Sequence, residues 1–317
     1  MNRRDNTLAI LNHEDHDHIG NYMTDVFCTG CDNGFGLNKN NKVYFPGTDD
    51  MGYGGVVLKD IEAWESLVCF PDPSFFNWEK SAEIDLAGYD PFNQVHEYCM
   101  RGGPFVWFLH LLGLSGARKA MSYHEEATKS LLSAITDHMI SVLSYVVTYY
   151  KPDLICIYED LVGEEGLFLS KEAYEKYIMP CHRRFFSAVR SYGIIPGIHV
   201  SGKCSLLAAD FVNEGAFFWE GCEPENDLLS LDQDLCHALS FVGCYDMHDF
   251  DAYEEFTDEV LRQSARDCMD RYAELKSFIF MGLKQYADSD KFSYARQVLG
   301  EEGLRYGTNY YRNKNRK

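Results

Sequence analysis

From about residue 100 onward the chain switches repeatedly between two hydrophobic patterns. "FVWFLHLLG" at 105–113 is an apolar run of the buried type. Between 123 and 150 apolar residues recur at helical spacing, at Leu131, Leu132, Ile135, Met139, Leu143 and Val146, behind an acidic opening of Glu125 and Glu126. "DLICIYED" then changes to the β-branched and aromatic composition of a strand. Ser170 and Glu172 mark the next helix start, where a carboxylate favours the helix dipole. That helix carries Tyr174, Tyr177 and Ile178, and Pro180 interrupts or restarts it. A helix over 181–192 stops at Gly193. "IIPGIHVSG" is the following strand, helix 205–214 ends at Gly215, and "AFFWEGC" is the next strand. Helix 229–239 precedes strand "SFVGCYDM", and helix 252–275 precedes strand "SFIFMGL".

Strand and helix thus alternate at least five times, which implies a parallel sheet with helical crossovers. The even repeat and a length of 317 residues favour a closed (β/α)8 TIM barrel over an open sheet. No repeat or Pro/Gly/Ser linker divides the chain, so 1–317 reads as a single domain. Its first 100 residues, with the Gly-, Asn- and Asp-rich "CDNGFGLNKNNKVYFPGTDDMGYGG", read as irregular.

Composition narrows the function. The net charge of −20 disfavours a nucleic-acid partner or an anionic membrane surface. The one basic cluster is the tail "YYRNKNRK" at 310–317, which reads as a solvated terminus. The opening "MNRRDNTLAILNHEDHDH" lacks the long apolar run of a secretory signal, and "MISVLSYVVTYY" is about half the length of a membrane span. A cytoplasmic protein is expected. Eleven cysteines, an odd number, fit reduced thiols. Cys28 and Cys31 have CxxC spacing but no second pair, and read as loop cysteines. His13, His16 and His18 precede the first strand and read as surface residues remote from the barrel mouth.

A TIM barrel carries its chemistry at the C-terminal ends of the strands. Those ends supply Tyr158, Glu159 and Asp160, then His199 and Ser201, then Glu220 and Cys222, then Tyr245, Asp246 and His248, and finally Lys284. Glu159, Asp160 and His199 are the candidate acid–base groups. Strand alternation allows only one of Glu159 and Asp160 to face the axis, and Glu159 is expected there with His199. Tyr158, Ser201, Tyr245, Asp246, His248 and Lys284 are candidate substrate contacts. His199 with Glu220 and Cys222 is a candidate zinc set, since imidazole, carboxylate and thiolate are all zinc ligands.

The block "YEDLVGEEGLFLSKEAYEKYIMPCHRRFFSAVRSYGIIPGIHVSGKCSLLAADFVNEG" resembles the centre of the uroporphyrinogen decarboxylase superfamily. There an acidic pair ends a strand, a Ser opens the next helix, a Pro precedes a helix, and a strand ends in H-x-C-G. "NRRDNTLAILNHEDHDHIG" is similar to that family's first helix and the turn into its first strand. "YFPGTDDMGYGG" and "VVLKDIEAWESLVCFPDP" are similar to its corrinoid-linked methyltransferase branch. The resemblance spans nearly the whole chain and implies a TIM barrel. It also implies methyl transfer between a small methyl donor or acceptor and a corrinoid (cobalamin-type) cofactor on a partner protein. Thiol-methylating members of that branch bind zinc through H-x-C and a later Cys. Here His199 matches, Ser201 stands in place of the Cys, and 278–285 contains no Cys. The arginine-rich N-terminal motif of authentic uroporphyrinogen decarboxylases is absent from 28–42.

Three functions stay open on the sequence. The first is corrinoid-dependent methyl transfer or O-demethylation. The second is a decarboxylase or other lyase acting on a small carboxylate, with Lys203 or Lys284 as the anion partner. The third is a catalytically degenerate small-molecule binder.

Overall fold

The structure, a computed structural model, describes residues 1–30, 58–163, 166–245, 257–275, 277–282 and 289–314. Eight strands make one sheet: β1 (Gly20–Asn21), β2 (Val26–Thr29), β3 (Val95–Met100), β4 (Leu154–Tyr158), β5 (Ile195–His199), β6 (Phe218–Cys222), β7 (Ser240–Gly243) and β8 (Phe278–Phe280). Their order is β1-β8-β7-β6-β5-β4-β3-β2, with every neighbouring pair parallel. The outermost strands, β1 and β2, are consecutive in the chain and joined by the single helical turn Tyr22–Asp25. The covalent chain therefore draws the two edges of the sheet together, and the fold is the (β/α)8 barrel that the alternation predicts.

Helix α1 (Arg3–Leu11) precedes the first strand, and the layer around the sheet contains α2 (Pro104–Tyr123), α3 (Glu125–Tyr149), α4 (Met179–Ser191), α5 (Ala208–Glu214), α6 (Leu228–Asp234), α7 (Asp258–Tyr272) and α8 (Ser289–Gly307). By length and composition alone α3 is apolar enough to cross a bilayer. Its Leu131, Leu132, Ile135, Met139, Leu143 and Val146 are nevertheless buried, and it packs between α2 and α4 as a core helix. Ahead of α4 the chain forms a π-helical turn over Tyr174–Ile178. Pro180 follows it closely and has no N–H to give to the preceding turn, which favours such a widening.

Three of the eight strands come from the segment that reads as irregular. β1 and β2 are too short to display alternation, and β3, "VHEYCM", buries all six residues although two are polar. A strand buried on both faces shows no in/out pattern. Residues 31–57 lie outside the described residues.

Two apolar layers hold the barrel. Between sheet and helices sit Trp219, Phe185, Phe186 and Phe211. Inside the sheet Val26, Val95, Leu154, Phe218, Val242 and Ile279 form a second cluster, closed at the N-terminal end of the strands by Ile10 and Leu11 of α1. Arg4 ties α1 to this end through a two-pronged contact with Asp153 at 2.6 and 2.5 Å. Asp153 also accepts the His96 backbone N–H at 2.8 Å, so one carboxylate joins α1, β3 and the start of β4.

Truncating Phe218→Ala removes the largest apolar side chain of the inner cluster. The expected cost is about 3–5 kcal/mol of stability, measured as a lower midpoint of urea unfolding with an unchanged slope.

Candidate active site

Three strand ends lie level. Tyr158 on β4 pairs with His199 on β5, and His199 pairs with Glu220 on β6. Alternation then carries all three side chains into the barrel together. His199 Nδ1 lies 2.8 Å from Glu220 Oε1, and the Tyr158 hydroxyl donates to the same oxygen at 2.7 Å. The Tyr158 ring stacks on the imidazole with centroids 3.9 Å apart. Donation from Nδ1 to a carboxylate leaves Nε2 facing Ser201, whose exposed Oγ is 3.4 Å away. His199 retains 22% side-chain exposure while Glu220 is wholly buried. Burial works to raise the Glu220 pKa, but the hydrogen bond and charge of His199, with the Tyr158 hydroxyl, outweigh it and hold the carboxyl below its ordinary range.

Behind this row the barrel interior contains a second polar group. The Tyr22 hydroxyl donates to Glu97 Oε1 at 3.2 Å, and the Cys28 thiol approaches the same oxygen at 3.7 Å. Burial, with Cys28, Glu220 and Glu97 around it, pushes the Tyr22 hydroxyl well above the usual phenol range, so it remains a donor. Glu97, Cys156 and Glu220 converge, with ligand atoms within 4.8 Å of one another.

Glu159 takes the opposite face, which corrects the expectation that it meets His199 in the barrel mouth. The backbone N–H groups of Phe105 and Val106 at the start of α2 each donate to its carboxylate at 3.0 Å, and His182 Nε2 lies 2.8 Å from it. Gly103 makes this approach possible, since a Cβ there would stand 2.2 Å from Glu159 Oε1. His182 Nδ1 reaches Glu214 at 3.0 Å, and the Tyr174 hydroxyl donates to Glu214 at 2.9 Å. Burial pulls the His182 pKa down, but carboxylates on both sides outweigh it and hold it at about 10. An imidazolium between two carboxylates therefore locks α4 and α5 to the end of β4.

Asp160 is exposed. Cys222 does not join His199 and Glu220, contrary to the proposed zinc set. The ladder between β6 and β7 shifts register between Glu220 and Cys222, and Gly221 has φ +74°. Such a bulge reverses the facing of the next residue. Cys222 Sγ then lies 3.4 Å from the Val242 carbonyl and 3.6 Å from the Cys244 sulphur in the outer layer. Gly221 also leaves room for the imidazole, because a Cβ would come within 2.8 Å of it. Tyr245 points outward and its hydroxyl pairs with Ser264 at 2.8 Å. Asp246, His248 and Lys284 lie outside the described residues, as does Cys31 of the CxxC pair. Lys203 is exposed. His18 is buried rather than on the surface, and burial lowers its pKa to about 4.

The sequence gives no hint of several groups that the fold recruits. Asn226 accepts from the backbone N–H groups of Cys204 and Ser205 at 2.8 and 2.9 Å and donates to the Gly202 carbonyl at 3.0 Å. Glu223 accepts from the Gly202 N–H at 2.9 Å. These bonds stitch the loop after β5 to the loop after β6 and hold Ser201 at the mouth. Glu97 and Tyr22 fall in the segment without visible periodicity, and Cys156 is hidden in an apolar strand.

A family model described as uroporphyrinogen decarboxylase (URO-D) matches residues 98–282, from within β3 to just past β8. Among solved structures, a methyltransferase from Methanosarcina mazei superposes with a TM-score of 0.67 at 13% identity, over 96% of this chain and 99% of that one. The apo form of 3-keto-D-glucoside 4-epimerase, YcjR, from E. coli has a TM-score of 0.41 at 10% identity, over 88% of this chain and 100% of that one. No curated protein matches the chain.

The His182 assembly has a pH signature. Its folded pKa of about 10 stands above an unfolded value of about 6.5. The stabilisation is full below about 6.5 and is lost as pH rises towards 10. Replacing His182→Gln leaves the carboxylates without their cation and is expected to cost about 3–5 kcal/mol at neutral pH. Urea titrations across pH 6.5 to 10 should show the gap between wild type and variant narrowing as pH rises. A constant gap would mean that His182 is uncharged in the fold.

Proposed function

The chain belongs to the uroporphyrinogen decarboxylase family, and from that premise we propose that it transfers a methyl group between a small molecule and a corrinoid held by a partner protein. The observation that carries this reading is the His199–Glu220 pair, with Nε2 turned to the mouth and Nδ1 tied to a buried carboxylate. The bound corrinoid supplies the cobalt centre that takes or returns the methyl group. When a methyl leaves an ether, thioether or amine, the bonding electron pair stays on the departing heteroatom, which then requires a proton. His199 Nε2 is placed to give it, while Glu220 stabilises the charged imidazole and Tyr158 fixes the ring by stacking. In the reverse direction the same nitrogen accepts the proton of the incoming nucleophile.

The family zinc set does not fit this chain. Ser201 occupies the position of its first Cys, and no Cys follows Cys268. No step is assigned to a metal at that place. Decarboxylation of a many-carboxylate substrate is also poorly served, because Glu97 and Glu220 line the described interior and would repel it. For a small-carboxylate lyase, Lys203 is the nearest cation to His199 in the chain, and it is exposed.

Incubation of the protein with reduced cobalamin and a panel of methyl ethers, thioethers and methylamines should produce methylcobalamin, followed by its absorbance. His199→Ala should lower the rate by about 10²–10⁴-fold. Asp160→Asn should leave it nearly unchanged. No methyl transfer with any donor, or an undiminished rate in His199→Ala, would overturn the proposal.

A further inference from the structure

Glu220 uses Oε1 to accept from Tyr158 and His199. Its Oε2 is fully buried and accepts from no backbone N–H, ring N–H or hydroxyl among the described residues, so a proton on the neighbouring Glu97 carboxyl is the hydrogen-bond donor available to Glu220. The Glu97 carboxyl stands beside it in the same cluster. Two carboxyls facing each other away from water need a proton or a cation between them. A shared proton would account for the oxygens alone. The Cys156 sulphur lies within the same 4.8 Å, and a donor set of two carboxylates and one thiolate suits zinc, whose ligands include both hard oxygen and soft sulphur.

We propose that Glu97, Cys156 and Glu220 bind a zinc ion inside the barrel, beyond His199 as seen from the mouth. This set shares no residue with the H-x-C…C pattern of the family's thiol-methylating members. It comes from β3, β4 and β6, so it exists only once the sheet has curled. Each carboxylate ligand has partners that orient it: Tyr22 and Cys28 on Glu97, Tyr158 and His199 on Glu220. His199 becomes an outer partner of the metal through Glu220, and its Nε2 stays at the mouth. Binding displaces the Cys156 thiol proton to solvent, so zinc uptake weakens as pH falls. The inference does not depend on methyl transfer, and its test reads metal rather than turnover.

The whole protein, loaded with zinc and desalted, should retain about one zinc per chain by mass spectrometry. Cys156→Ser, Glu97→Gln and Glu220→Gln, checked for folding by circular dichroism, should each lose at least about ten-fold in affinity against a chelator. His199→Gln should weaken binding by about ten-fold through the loss of an outer partner. Cys222→Ser should retain the metal. X-ray absorption of the zinc-loaded wild type needs no variant to fold. It should show one sulphur at about 2.3 Å among lighter ligands. A metal-free wild type would overturn the proposal in favour of a shared proton between the carboxyls. A shell of two or more sulphurs would overturn it in favour of cysteines elsewhere.

Discussion

A carboxylate removed from water must be met by donors or a cation, and this barrel buries carboxylates on both faces of the same sheet. Glu159 and Glu220 are both almost without solvent contact, yet they are neutralised in different ways. Outside the sheet, Glu159 receives two backbone N–H groups at the start of α2 and the His182 imidazolium. Inside it, Glu220 receives Tyr158 and His199. The helix N-terminus adds its own positive end to the first arrangement. Tyr158 and Glu159 are adjacent in sequence but belong to separate electrostatic systems, because adjacent residues of an extended chain point in opposite directions. The outer system fixes where β4, α2, α4 and α5 meet. The inner one is left for chemistry.

Both systems depend on close approaches that few side chains allow. At Gly103 a methyl group would collide with the Glu159 carboxylate, and at Gly221 it would collide with the His199 ring. The bulge at Gly221 does more than make room. It sends Glu220 towards the axis and Cys222 into the outer layer, so one irregular residue decides which donor His199 meets. The loops beyond β5 and β6 are bound to each other through Glu223 and Asn226. The mouth beside His199 is therefore built from hydrogen-bonded backbone, which favours a pre-formed site over one assembled on binding.

The chemistry at the mouth is that of a histidine with a buried carboxylate behind it. Such a pair can give and take one proton reversibly, as methyl transfer in either direction requires. Deeper in the barrel the Glu97 and Glu220 carboxyls stand together. Their proximity sets the question that the zinc proposal answers, namely what neutralises them where they face each other.

Local pattern determined much of this protein before any tertiary contact was considered. The alternation of strand and helix after residue 100, the stop signals at Gly193 and Gly215, the cap at Ser170 and the apolar face of α3 were all legible, because each depends on residues within one or two turns. So was the approach of Tyr158, His199 and Glu220 to one end of the barrel, since that follows from their places at strand ends. The fold alone decided which of these groups meet. It turned Glu159 outward to His182, diverted Cys222 through a bulge, and paired Tyr245 with Ser264. It also brought in Tyr22, Glu97 and Cys156, which lie far from His199 in the chain. β1 and β2 escaped detection for the same reason: strands of two and four residues are specified by the neighbours they pair with, not by their own composition.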